Sequence, residues 1–347
     1  MRNGPKILLL SFFLAILAVF SALVLSALRH PENPSPSIAE FKSDPITGYE
    51  YLPSSHFSYV EKGRRSKIID VYHDKYGARV FSPNTVSSTP STIMIIGGSQ
   101  AMGQGVLAEE TFSGILAKNL HTSVVNLAVS GYGGTGSLLQ LKRYINTFRP
   151  KYIVYAFWQD HLNRNVNPCL ENSLPVCEKR PTVTIGKHNK LTLIPAGDNQ
   201  KSIQLVNEWY TTTHPNFWFN LKWKWQRLKW KFLEMVHRSP EDNPLQTDAD
   251  KQAATTYVLE QMEQVAKKHN AKLIVVFIPY YTYTTQFSMP PYINQIAKNN
   301  QITLINMGPT LFNMFNNHVD VMIPDDGHIT PQVHSTIAQK IITEIRR

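Results

Sequence analysis

Five short apolar runs, most of them separated by stretches of helical periodicity, set the strongest limit on what this chain can fold into. They fall at residues 92–96, 123–129, 152–158, 272–278 and 301–307. Each is rich in β-branched or aromatic residues and too short for a core helix. Helical patterns fill 109–120, 137–148, 248–269 and 331–347, with Glu109 and Glu110 at the start of the first and Lys and Arg residues through the last. Strands that alternate with helices imply a parallel sheet covered on both faces, a three-layer α/β/α domain. In such sheets ligands gather at the carboxyl ends of the strands. Ser99, Gly131 and Gln159 follow the first three runs and therefore share that edge.

Ser99 sits in Gly97-Gly98-Ser99, where glycines permit a tight turn and close approach of a substrate. A serine hydroxyl becomes a nucleophile when an imidazole is within hydrogen-bond reach and a carboxylate orients the ring. The segment Asp325-Asp326-Gly327-His328 supplies both just before the last helix, and Thr330 ahead of Pro331 is suited to cap that helix. His328 would take the Ser99 proton and return it to the leaving group. Either adjacent carboxylate could hold the ring. His334 falls inside the helix and reads as structural.

These blocks together resemble the SGNH (GDSL-type) hydrolase family. The matching stretches are Gly97-Gly98-Ser99, Ser130-Gly131-Tyr132-Gly133, Phe157-Trp158-Gln159-Asp160 and Asp325-Asp326-Gly327-His328. Gly98 stands where the family usually has Asp, and Gln159 where it usually has Asn. The resemblance implies a flavodoxin-like domain with Ser99, His328 and Asp325 as the triad. It also implies an oxyanion hole from the N–H groups of Ser99 and Gly131 and the amide of Gln159, with Asn163 and Asn165 as alternatives. The implied activity is that of an ester hydrolase or O-acyltransferase working through an acyl-serine, without metal or cofactor. Its substrate would be a small ester or an acylated cell-surface carbohydrate. The alternative on the same fold is a catalytically silent protein that binds cell-surface polysaccharide or aids its assembly.

A second motif competes. Gly131-Tyr-Gly133-Gly134-Thr-Gly136 is a literal G-x-G-x-x-G ahead of a helix, and Asp160 ends the next strand. A dinucleotide motif normally opens its sheet, whereas this one follows the second strand. The twelve histidines are scattered without metal-ligand spacing, and His161-Leu-Asn-Arg164 reads as a solvated loop.

Residues 7–28 carry no charge and are long enough to cross a bilayer; Arg2 and Lys6 ahead of them predict a cytoplasmic N-terminus. A cleaved signal peptide ending near Val24-Leu25-Ser26 is the alternative, but its apolar region is usually about 7–15 residues. Both readings export the chain, to the periplasm or cell surface. Export makes a disulfide of Cys169 and Cys177, the chain's two cysteines, worth about 2–3 kcal/mol. The net charge of +10 comes without a nucleic-acid motif and favours anionic headgroups or acidic surface polymers over nucleic acid.

The expected organisation is an anchor (1–29), a Pro/Ser-rich tether and leading segment without clear period (30–89), and the catalytic domain (90–347) with an insertion at about 163–247. Within the insertion, helical spacing puts Trp218, Leu221, Trp225, Leu228, Phe232 and Met235 on one face, predicted to pack on the domain. Trp223 and Trp230 fall on the opposite, basic face, which suits a membrane interface or an acidic glycan.

Overall fold

A computed structural model describes residues 4–29, 41–60, 67–169, 179–186, 190–212, 215–236, 247–280, 288–324 and 326–347. Helix α1 (Gly4–Arg29) is followed by β1 (Phe41–Asp44), β2 (Gly48–Tyr51), β3 (His56–Val60), β4 (Ile68–His73) and β5 (Arg79–Val80). The alternating section then runs β6 (Ile93–Gly97), α2 (Ser99–Met102), α3 (Phe112–Leu120), β7 (Val124–Asn126), α4 (Gly134–Phe148), β8 (Tyr152–Trp158) and α5 (His161–Arg164). A hairpin of β9 (Thr182–Ile185) and β10 (Leu191–Ile194) leads to α6 (Gln200–Thr211) and α7 (Phe217–Val236). The chain closes with α8 (Asp248–Lys268), β11 (Lys272–Ile278), α9 (Pro291–Asn300), β12 (Thr303–Asn306), α10 (Gly308–Asn316) and α11 (Pro331–Arg346).

The main sheet has the order β12-β11-β8-β6-β7-β5-β4-β3. Its first five strands are parallel, and in chain order they lie 2-1-3-4-5, the flavodoxin-like arrangement. The order reverses between β6 and β8, so the loops after Gly97 and Trp158 flank the crevice where such sheets bind ligands. Alternate residues feed two cores, as a strand's period of two requires. Ile93 and Ile95 of β6 face the layer containing α3 and α11, while Met94 and Ile96 face the layer of α4, α8 and α9.

The leading segment adds β5, β4 and β3 antiparallel to the far side of β7. Its aromatics recur at every second position, Tyr49 with Tyr51 and Phe57 with Tyr59, and Tyr49, Tyr51 and Tyr59 are buried. Thr330 caps α11 as its sequence position predicts. Cys169 is disulfide-bonded; Cys177 lies outside the described residues.

Helix α7 turns the other way from the expected orientation. Trp223 is fully buried, with its ring 4.7 Å from that of Trp209 on α6 and packed beside Phe219. Trp218 and Trp225 are 72% and 55% exposed. The reason is the partner: Trp209 and the aromatics beside it present a flat surface that Phe219 and Trp223 match, whereas periodicity alone counts every apolar residue equally. The side chains of Trp230, Phe232 and Met235 lie outside the described ones.

Three buried histidines, His73, His161 and His334, are each pushed down to about 3 by burial, with Arg79 or Arg164 adding to the effect. Between that value and the ordinary 6.5 the unfolded chain binds protons that the folded chain does not. Their contribution is therefore complete above pH 6.5 and is lost as the pH falls toward 3. Chemical denaturation at pH 5.5 is expected to give a stability about 4 kcal/mol lower than at pH 7.5, roughly 1.4 kcal/mol from each ring. Substituting His334 by an apolar residue of similar size is expected to remove about a third of that difference.

Candidate active site

Ser99 lies at the first position of α2, immediately after β6, and is buried. Gly97 turns the chain there with φ of +152°, and an added Cβ would lie 2.7 Å from Ala101 Cβ and 3.0 Å from the Ala156 carbonyl oxygen. The Ser99 carbonyl accepts from the N–H groups of Gly103 (3.0 Å) and Gln104 (3.1 Å), which folds α2 back on itself. The N–H groups of Ser99 and Gly131 donate to no protein acceptor among the described residues.

On the loop before α11, the His328 Nδ1–H donates to the Asp326 carboxylate. Asp325, the carboxylate favoured by the family spacing, lies outside the described residues. The loop is a closed turn: Ile323 N–H donates to the His328 carbonyl (2.7 Å), and Asp326 and Gly327 N–H groups donate to the Ile323 carbonyl. With Nδ1 protonated and bonded, the neutral ring keeps Nε2 as its acceptor.

Gln100 joins the two segments. Its Nε2 donates to the Gly327 carbonyl at 3.2 Å and its Oε1 accepts from the Ile329 N–H at 3.0 Å. One buried side chain, adjacent to Ser99, thus holds the backbone on both sides of His328. Sequence reasoning missed Gln100. The available signal was an amide beside the serine in an otherwise apolar turn.

Gln159 follows β8, with its N–H on the Ile278 carbonyl and its Oε1 accepting from Tyr280 N–H at 2.8 Å. Since the carbonyl end is committed, the amide offers donors to what lies in front of it. Asn163 donates instead to Asp160 (3.1 Å), and Asn165 donates to Thr255 (3.1 Å) while accepting from Thr135 N–H.

The stretch from His161 to Arg164 is a helical turn rather than a loop, with His161 buried, Leu162 and Arg164 half-buried and Asn163 exposed. His161 Nδ1 is 2.7 Å from the Tyr155 hydroxyl, and its Nε2 has no partner among the described residues. Arg164 donates to the Asp160 carboxylate at 2.6 Å and to the Tyr132 carbonyl at 3.2 Å, and lies over the Trp158 ring. Burial alone would raise the Asp160 carboxyl, but the charge of Arg164 and the bonds from Asn163 and Arg164 hold it below the ordinary value. These side chains also explain the glycine run. A Cβ at Gly133 would meet Arg164 Cβ at 2.6 Å, and one at Gly136 would meet the Tyr132 ring at 2.8 Å. The glycines make room for the protein's own side chains, and Asn165 already occupies the N–H of Thr135 at the start of α4.

The leading segment fixes the loops around Ser99. The Tyr51 hydroxyl donates to Ser130 Oγ (2.8 Å) and accepts from Ser130 N–H (3.1 Å), while the Tyr49 hydroxyl donates to the Ser130 carbonyl (3.0 Å). Arg79, fully buried, donates to the carbonyls of Met102, Gly103 and Val106, the turn that follows α2. Tyr59 accepts from Gly105 N–H. A cleft of about 1120 Å³ opens beside this assembly, lined by residues that include Gln100, Trp158, Tyr280, Phe315, Asp326 and His328. The Trp158 and Tyr280 rings stack with centroids 5.6 Å apart.

No family model matches the chain, and no curated protein does. Among solved structures it is similar to the psychrotrophic esterase EstA from Pseudoalteromonas sp., with 13% identity over 74% of this chain and 97% of that one, at a TM-score of 0.39. It is similar to Axe2, an acetylxylan esterase from Geobacillus stearothermophilus, with 11% identity over 74% and 95% and a TM-score of 0.38. A GDSL-like lipase from Bacteroides thetaiotaomicron gives 12% identity over 76% and 92% and a TM-score of 0.35.

The surroundings of Gly98 leave little room for a side chain. A Cβ there would lie 2.9 Å from the Tyr132 carbonyl oxygen and 3.1 Å from His161 Nε2. Gly98→Asp is therefore expected to lower stability by about 1–3 kcal/mol through overpacking. Thermal denaturation of the two proteins measures this.

Proposed function

We propose that the chain is a serine-dependent ester hydrolase or O-acyltransferase of SGNH type that works through an acyl-Ser99 intermediate. The observation that carries this reading is the Gln100 bridge, which ties the residue after a strand-end serine to both neighbours of a carboxylate-bonded histidine. Ser99 Oγ attacks the ester carbonyl and His328 Nε2 takes its proton; Asp326 holds the resulting imidazolium. The N–H groups of Ser99 and Gly131 and the Gln159 amide receive the oxyanion, each good donor supplying about 3 kcal/mol. The imidazolium returns its proton to the departing alkoxide. Water, or a sugar hydroxyl in the transferase case, then gives up a proton to His328 and attacks the acyl carbonyl; the bond to Ser99 Oγ breaks, and Ser99 takes that proton back from the imidazolium.

The substrate proposed is an acyl or acetyl ester of a cell-surface glycan. An open cleft with an aromatic wall of Trp158 and Tyr280 suits a chain of sugar rings, which offers C–H faces to aromatics and hydroxyls to water. Helix α1 is apolar over Ser11–Arg29 and largely uncovered, which supports the reading as a single-pass anchor with the cleft on the extracytoplasmic side.

A fluorophosphonate probe applied to the full chain in detergent is expected to label Ser99, located by mass spectrometry, and His328→Ala is expected to abolish labelling. Asp326→Asn is expected to slow labelling by about 10³–10⁴-fold, the cost of a mis-oriented imidazole, while Asp325→Asn stays within about threefold of the parent. Failure to label the folded parent would instead support a silent glycan-binding protein. A larger effect at Asp325 would move the orienting role to that residue.

A further inference from the structure

The exposed face of α7 has no role in the ester chemistry. Viewed down its axis, Trp218, Trp225 and Lys229 lie on the side away from the buried Phe219, Asn220 and Trp223, with Lys222 and Leu228 at its two flanks. Trp218 and Trp225 are two turns apart, about 10 Å along the helix. The helix holds five basic residues and one acidic residue, and Lys222 is paired with Glu208 of α6 at the edge of the face. Indole rings in a row between lysines combine an apolar body with a polar rim, the composition of a helix that lies in a headgroup layer.

The position of α7 selects the occupant. It packs against α1, and among the described side chains of α1, residues 11–29, those that lose exposure are near its end: Leu23, Val24 and Ser26 are half-buried and Ala27 is buried, whereas residues 11–22 are exposed. Counting from Ile7, about 20 residues of helix cross the 30 Å hydrocarbon layer, which puts Ser26 at its far edge. The contact with α7 thus falls at the level of the headgroups.

We infer that α7 is an interfacial helix that rests on the outer surface of the bilayer crossed by α1, with Trp218 and Trp225 immersed among anionic headgroups. The inference rests on α1 as a bilayer span and is independent of the acyl-serine reading. The excess of basic residues on α7 and the net charge of +10 favour a negative surface over a neutral one.

The test uses the full chain reconstituted into phosphatidylcholine vesicles with and without phosphatidylglycerol, each containing lipid brominated high on the acyl chain. Flotation after alkaline extraction reports insertion of α1. Tryptophan quenching is then compared between the parent and a Trp218→Phe/Trp225→Phe double variant. Two of six tryptophans report from the surface, so the parent is expected to lose about a third more of its emission than the double variant. The difference is expected to be larger with phosphatidylglycerol present. Equal quenching in chains that float would overturn the inference for α7 while leaving α1 as an anchor. Protection of these two tryptophans from aqueous iodide by an acidic polysaccharide, but not by vesicles, would overturn it in favour of a glycan. Failure to float would overturn both the anchor and the interfacial helix. Labelling of Ser99 by the fluorophosphonate is expected to be unchanged in the double variant, which separates this result from the ester chemistry.

Discussion

The bidentate grip of Gln100 on the loop before α11 is the interaction on which the assembly of the site depends. Ser99 and His328 are separated by most of the domain, and no secondary structure spans both. A parallel sheet brings their loops to one edge but leaves the last few ångströms to side chains. Gln100 bridges that gap with both ends of one amide, tying the turn from Ile323 to His328 to the turn at Ser99. The bond from Ile329 N–H is buried and the one to the Gly327 carbonyl partly so, and the buried one is not exchanged for water at low cost.

Around that joint, residues far upstream act as a clamp. Tyr49 and Tyr51 use three hydrogen bonds to fix Ser130, and Arg79 and Tyr59 hold the turn after α2. A buried guanidinium is costly unless its donors are met, and here three backbone carbonyls at the end of a helical turn meet its two Nη atoms, while Nε has no partner among the described residues. The segment preceding the first parallel strand is thus part of the site's framework, because it decides where the donors near Ser99 and Gly131 point.

Much of the frame was legible in the sequence, and the reasons differ by element. The runs that became β8 and β11 are buried on both faces, so their apolar character is continuous and their ends are sharp. The leading segment was opaque because its strands are short and its apolar positions are tyrosines, whose polar tips hide a period of two. The turn at His161 looked solvated because much of its polarity is met internally, by Tyr155, Asp160 and Trp158, so that polar residues there sit beside a buried imidazole. The face chosen by α7 depends on Trp209, a residue on another helix, which no count within α7 could supply. Two adjacent carboxylates are indistinguishable in the sequence, because which one meets the ring rests on loop geometry; among the described residues Asp326 bonds His328 in a turn closed on the Ile323 carbonyl.

The clamp also shortens the leash. Tyr49 grips the site only 20 residues beyond Arg29, the end of α1. A fully extended chain of that length reaches at most about 70 Å. For a chain whose α1 sits in a bilayer, the cleft works within that height of the surface. A polymer is within reach only where its strands pass close to the membrane, so the spatial range of the chemistry is written into the distance between one tyrosine and the end of one helix.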